Sequence, residues 1–169
     1  MHTARILDIM SALFYLAMSS LLYMGAGVAY EEKRAWIMIV VTACALGTYL
    51  VIILGRARDT ALADVPYVAT LLWTLGAAIV GAIVITIAVS VLAPGEVTKK
   101  DARDREIDRF SEYIGRSFVV IGGVAALVMS MAELDHFWIA NAIYLCFALS
   151  ALLGSVAKIV AYRRGFQEW

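Results

Sequence analysis

The densest set of chemically capable residues in this sequence is Glu133, Asp135 and His136, with Asn141 a few positions on. Imidazole and carboxylate oxygen together suit a divalent cation such as zinc, and a histidine beside carboxylates can also sense protons near neutral pH. These three are therefore the candidates for a metal or proton-sensing site. Against that reading, Glu133 and His136 straddle a break between two apolar runs, so no single helix face holds them together. The competing reading is a solvated turn in which Asp135 caps the helix that follows. No Ser–His–acid order, Gly-rich phosphate loop, His-Glu-x-x-His or haem signature occurs, and no cofactor is expected. Cys44 and Cys146 each lie deep in an apolar run, with no Cys-x-x-Cys spacing, and read as small apolar side chains.

The elements that would position these residues are set by composition. Of 169 residues, 63% are hydrophobic and 17% charged, and the mean hydropathy is +0.84. Soluble domains run nearer half apolar and a quarter charged. The formal net charge is zero, which gives no basic bias toward nucleic acid and no acidic tail. Five stretches reach or approach the ~20 apolar residues that a helix needs to cross a bilayer: residues 6–29, 35–55, 66–93, 114–132 and 138–161. They are too long and too uniformly apolar for barrel strands. The predicted fold is therefore all-α, a single polytopic transmembrane helical bundle of about five spans.

The breaks have physical causes. Glu31, Glu32, Lys33 and Arg34 separate the first two runs, a charged segment around Arg56 to Asp64 separates the next two, and Pro94-Gly95 ends the third. The short break between residues 132 and 138 predicts a tight hairpin of the last two spans. Orientation follows from cations. Arg5, Arg56 and Arg58 fall on one side, and the other eleven of the 14 Lys and Arg residues fall on the opposite side. The positive-inside rule then places the N-terminus outside and the C-terminus in the cytoplasm of a plasma (inner) membrane. Gly27-Val28-Ala29 offers small residues at a plausible signal-cleavage site. Removing the first run would force the basic segment outside, so a retained first span is expected. His2, Asp59 and Asp64 then share the outer side with His136.

Ionisable residues within a span are functional candidates because burying them is costly. Here Asp8 and Lys158 enter a run, each about one turn from its end, Arg116 lies at the very start of another, and none occupies the middle of any span. This counts against a proton-coupled carrier and a voltage sensor. Thr48, Thr74, Thr86, Ser130 and Ser150 are the mid-span hydroxyls, and hydroxyls can bond back to their own helix. Trp36 and Trp138 fit interface anchors. Small residues four apart, at Ala43/Gly47, Ala77/Gly81, Gly122/Ala126 and Ser150/Gly154, predict close helix approach and leave room for a homo-oligomer.

The one long polar stretch, residues 99–116, pairs acids with bases at helical spacing, Asp101 with Arg105 and Glu112 with Arg116. Ile107, Phe110 and Ile114 form an apolar stripe along it. The segment reads as an amphipathic cytoplasmic helix running into the fourth span. Arg103, Arg105, Ile107, Arg109 and Phe110 are the candidate partner-binding residues, facing the lipid bilayer's surface or a protein; a solvated helical extension is the simpler alternative.

The stretch DARDREIDRF, followed by a span, then LDHFWIANAIY and a last span ending in YRRG, resembles an uncharacterised family of small prokaryotic multi-pass membrane proteins. In that family a charged "DERDRE-like" segment precedes a terminal helical hairpin. The resemblance covers residues 99–166, departs at Ala102 where a second acid is expected, and implies topology with no established activity. The leading functional expectation is a non-enzymatic accessory or regulatory membrane component acting through the charged helix. The alternative is a small oligomeric transporter or channel subunit for a neutral or hydrophobic solute, which the Gly- and Thr-bearing third run would serve.

Overall fold

A computed structural model describes residues 30–58, 60–92 and 102–164; the run at residues 6–29 and the beginning of the polar stretch lie outside them. Four long helices result: α1 (Tyr30–Arg56), α2 (Val68–Leu92), α3 (Ala102–Met131) and α4 (His136–Arg164), with a 3-10 turn at Leu62–Asp64 between α1 and α2. No strand occurs among the described residues. All four helices are long and apolar enough to cross a membrane. With 25 to 30 residues each, they extend about 38–45 Å at ~1.5 Å per residue, more than the ~30 Å hydrocarbon layer.

One boundary differs from the sequence expectation in an informative way, and another agrees with it. Glu31 to Arg34 are not a connecting loop: α1 already starts at Tyr30, with Glu31 and Glu32 in its first turn. Acidic side chains there complement the positive end of the helix dipole, so the charged segment forms the opening turn of α1. The charged stretch and the apolar run after it are one continuous helix, α3.

The hairpin of α3 and α4 is the most extensive contact; α4 also packs on α1, and α1 on α2. α1 is the better buried of that last pair, with 28% of its span enclosed against 11% of α2. Small residues set the hairpin's separation. A Cβ on Gly122 would lie 2.5 Å from Cys146 Cβ, and one on Gly115 or Gly154 would press on the backbone carbonyl of Ser150 or Ser111 at 3.1–3.2 Å. Gly47, Gly81 and Gly123 meet nothing, so small residues mark close approach only where a neighbouring helix arrives.

The hairpin turn is a Schellman motif: Leu134 N–H donates to Met129 O at 3.1 Å and Glu133 N–H to Ser130 O at 3.1 Å. Glu133 occupies the left-handed position, φ 54°, where glycine is usual. The Asp135 carbonyl then accepts Trp138 N–H at 2.9 Å, which makes Asp135 the N-cap position expected of it. Near this end of the bundle Tyr49, Ile53, Val65, Phe137 and Tyr144 form the buried apolar cluster.

Candidate functional site

The opposite end of the bundle collects charge. The first turn of α1, the first turns of α3 and the last turns of α4 meet there, each rich in ionisable residues. Lys158 Nζ lies 2.5 Å from Glu31 Oε2 and 2.5 Å from Asp108 Oδ1, and the three side chains are only 13%, 11% and 21% exposed. One α4 cation thereby ties α1 to α3. Arg163 Nε donates to Glu32 Oε1 at 3.0 Å, and its guanidinium lies 5.8 Å from the centre of the Trp36 ring. Tyr162 donates its hydroxyl proton to Asp104 Oδ1 at 2.7 Å. Removing charge from water is costly, and such groups hold together only when their partners are in place, as here. The arrangement fixes the relative register of three helices by the sign of their charges.

This network divides α3 into two faces. Ile107 is fully buried and Ser111 nearly so, on the side that carries Asp104 and Asp108. Ile107 therefore belongs to the bundle's own packing and is not open to a partner. Arg103, Arg105 and Arg109 are exposed, and Phe110 is 44% exposed. The expected stripe of Ile107, Phe110 and Ile114 thus splits, one member inward and one outward. Glu112 and Arg116 are both exposed and form no ion pair with each other; Asp101 lies outside the described residues.

Where α1, α3 and α4 come together, beside Lys158, an open groove of about 290 Å³ is lined by Arg34, Met38, Gly115, Arg116, Gly154 and Ser155, among others. The charged residues in its lining, Arg34, Glu112, Arg116 and Lys158, contrast with the surface of α2, where Trp73 is 79% exposed and Val80 61%, suited to lipid.

The metal and proton-sensing candidates are placed differently. Glu133, Asp135 and His136 are all exposed on the hairpin turn. Among the described residues no group of three His, Cys, Asp or Glu is disposed to hold a metal ion. Asp64 is also exposed, while His2 and Asp59 lie outside the described residues.

Among the mid-span hydroxyls, Thr74 behaves as expected. Thr74 Oγ1 bonds back to Thr70 O at 2.9 Å and Leu71 O at 3.1 Å. Asn141 does more: Nδ2 donates to Phe137 O at 2.7 Å, and Oδ1 accepts the Tyr49 hydroxyl at 2.6 Å, bridging α4 to α1. Thr48 Oγ1 and Trp36 Nε1 are buried without a hydrogen-bond partner among the described residues. Sequence reading assigned Lys158 a shallow, water-facing role and missed its two carboxylates, which are remote in sequence. The available signal was that α1, α3 and α4 all carry charge at the same end of an antiparallel arrangement.

Over the described residues, fold and geometry define a class, a helical bundle with four membrane-length helices and an ion-paired end. Compared with known proteins, the chain matches no family model, no curated protein and no solved structure.

Proposed function

We propose that this chain is a non-enzymatic multi-pass protein of the plasma (inner) membrane, an accessory or regulatory component that engages a partner protein through the exposed basic side of α3. In this reading residues 6–29 form a fifth span, the N-terminus lies outside, and the charged end of the bundle is cytoplasmic. The lopsided distribution of Lys and Arg supports that orientation.

The observation that carries the reading is the division of labour on α3. Its Asp104, Ile107, Asp108 and Ser111 side is taken up within the bundle. Arg103, Arg105 and Arg109 remain exposed, with no ion pair to a described residue. Arg105, Arg109 and Arg116, at i, i+4 and i+11, fall on one stripe of the helix. Because the opposite side of α3 is anchored, these cations are held on a fixed surface, which favours recognition of an acidic partner by complementary charge.

The test is the combined charge reversal Arg103→Glu, Arg105→Glu and Arg109→Glu. Exposed positions leave the fold intact, so thermal unfolding should be unchanged. Recovery of the co-purifying protein after gentle detergent extraction should fall by roughly tenfold or more, the scale of losing complementary charges at an interface. Unchanged recovery contradicts the proposal.

A further inference from the structure

Arg34 and Arg116 stand apart from the ion network. Both line the groove between α1, α3 and α4, yet neither forms an ion pair or hydrogen bond with a described residue, whereas nearby Lys158 is held by Glu31 and Asp108. One carboxylate lies on the same wall, Glu112, and it does not pair with Arg116. The groove therefore presents two uncommitted guanidinium groups against one carboxylate.

Their depth is informative. Arg34 is the last charge of α1 before the apolar run that ends at Arg56, and Arg116 is the last charge of α3 before Met131. The groove thus sits where charged turns give way to apolar helix, the level at which the phosphates of a bilayer meet its hydrocarbon. A guanidinium at that depth must reach up to water or find an anion. Its fork of N–H donors matches phosphate oxygens two at a time. The volume, about 290 Å³, lies at the small end of ligand pockets, which run roughly 300–1,000 Å³. It has room for a headgroup, with acyl chains left to the exposed apolar surface of the neighbouring helices.

We propose that this groove binds the headgroup phosphate of one anionic phospholipid, with Arg34 and Arg116 as its two ligands. The inference rests on the membrane-spanning reading; it shares Arg116 with the basic stripe of α3, while Arg34 on α1 lies outside that stripe, so Arg34→Gln tests the groove alone.

The experiment uses the full chain in mixed micelles containing equal phosphatidylglycerol and phosphatidylcholine, with retained lipid read by native mass spectrometry. Wild type should retain phosphatidylglycerol in preference. Arg34→Gln and Arg116→Gln should each reduce that retention about fivefold, the contribution of one basic residue beside an anionic headgroup. Arg34→Lys with Arg116→Lys, which keeps the charge and loses the fork, should recover part of it and serves if a Gln variant does not fold. Equal retention of the two lipids by wild type, or undiminished retention in both Gln variants, overturns the proposal. Displacement of the lipid by inorganic phosphate at equal concentration assigns the groove to a soluble phosphate and overturns the lipid assignment. Failure of the membrane reading would show separately, as a chain that does not float with lipid vesicles.

Discussion

At one end of the bundle Lys158 sits between Glu31 and Asp108; at the other, Tyr49 donates to Asn141 amid edge-packed aromatic rings. The first closure links α1, α3 and α4 through opposite charges at 2.5 Å. The second links α1 to α4 through one neutral hydrogen bond of 2.6 Å, with Tyr49 and Tyr144 5.0 Å apart and Tyr67 and Phe137 5.2 Å apart, both edge-on. Ion pairs discriminate by sign and penalise a wrong register heavily. Aromatic packing discriminates by shape and tolerates small shifts. The bundle is accordingly specified electrostatically at the end that would meet the cytoplasm and sterically at the other.

The largest expected effect breaks the charged end. Lys158→Ala leaves two carboxylates facing each other in a mostly buried setting, and should cost about 3 kcal/mol of unfolding free energy in mixed micelles. Replacing all three together, Glu31→Gln, Asp108→Asn and Lys158→Met, should cost much less, because no charge is left unpaired. A Lys158→Ala variant as stable as wild type would remove the distinction between the two ends. The smaller effect sharpens the contrast. Tyr49→Phe deletes one neutral hydrogen bond and keeps the ring, so about 1 kcal/mol is expected. That loss should be the same at low and high salt, whereas the Lys158→Ala loss should shrink at high salt to the extent that the triad is screened.

Much of this architecture is written locally. Apolar runs at residues 35–55, 66–93 and 138–161 correspond to α1, α2 and α4, because bilayer thickness sets the length a span must have. The short break at residues 133–137 gives the hairpin, and Asp135 takes its N-cap position. The continuation of the charged segment into the next run also follows from its helical spacing. What escaped is tertiary. The partners of Lys158 lie on two other helices, and no local pattern links them. Whether Ile107 or Phe110 faces inward depends on where α4 and α1 sit around α3, which the stripe alone does not encode. Small-residue pairs were equally indistinct: Ser150/Gly154 and Gly122 lie on the α3–α4 contact, while Gly47 and Gly81 face no neighbour. The Arg34–Arg116 groove needed three helices to be seen at all.

Whether the helices cross a membrane with the charged end in the cytoplasm can be read by single-cysteine labelling. In a background with Cys44 and Cys146 replaced by alanine, cysteines are placed at Ala132, beside the hairpin turn, and at Arg105, on the exposed side of α3. A membrane-impermeant maleimide added to intact cells should label the Ala132→Cys protein, and should label the Arg105→Cys protein only after permeabilisation. Labelling of both from the same side, or the reverse pattern, would contradict the account.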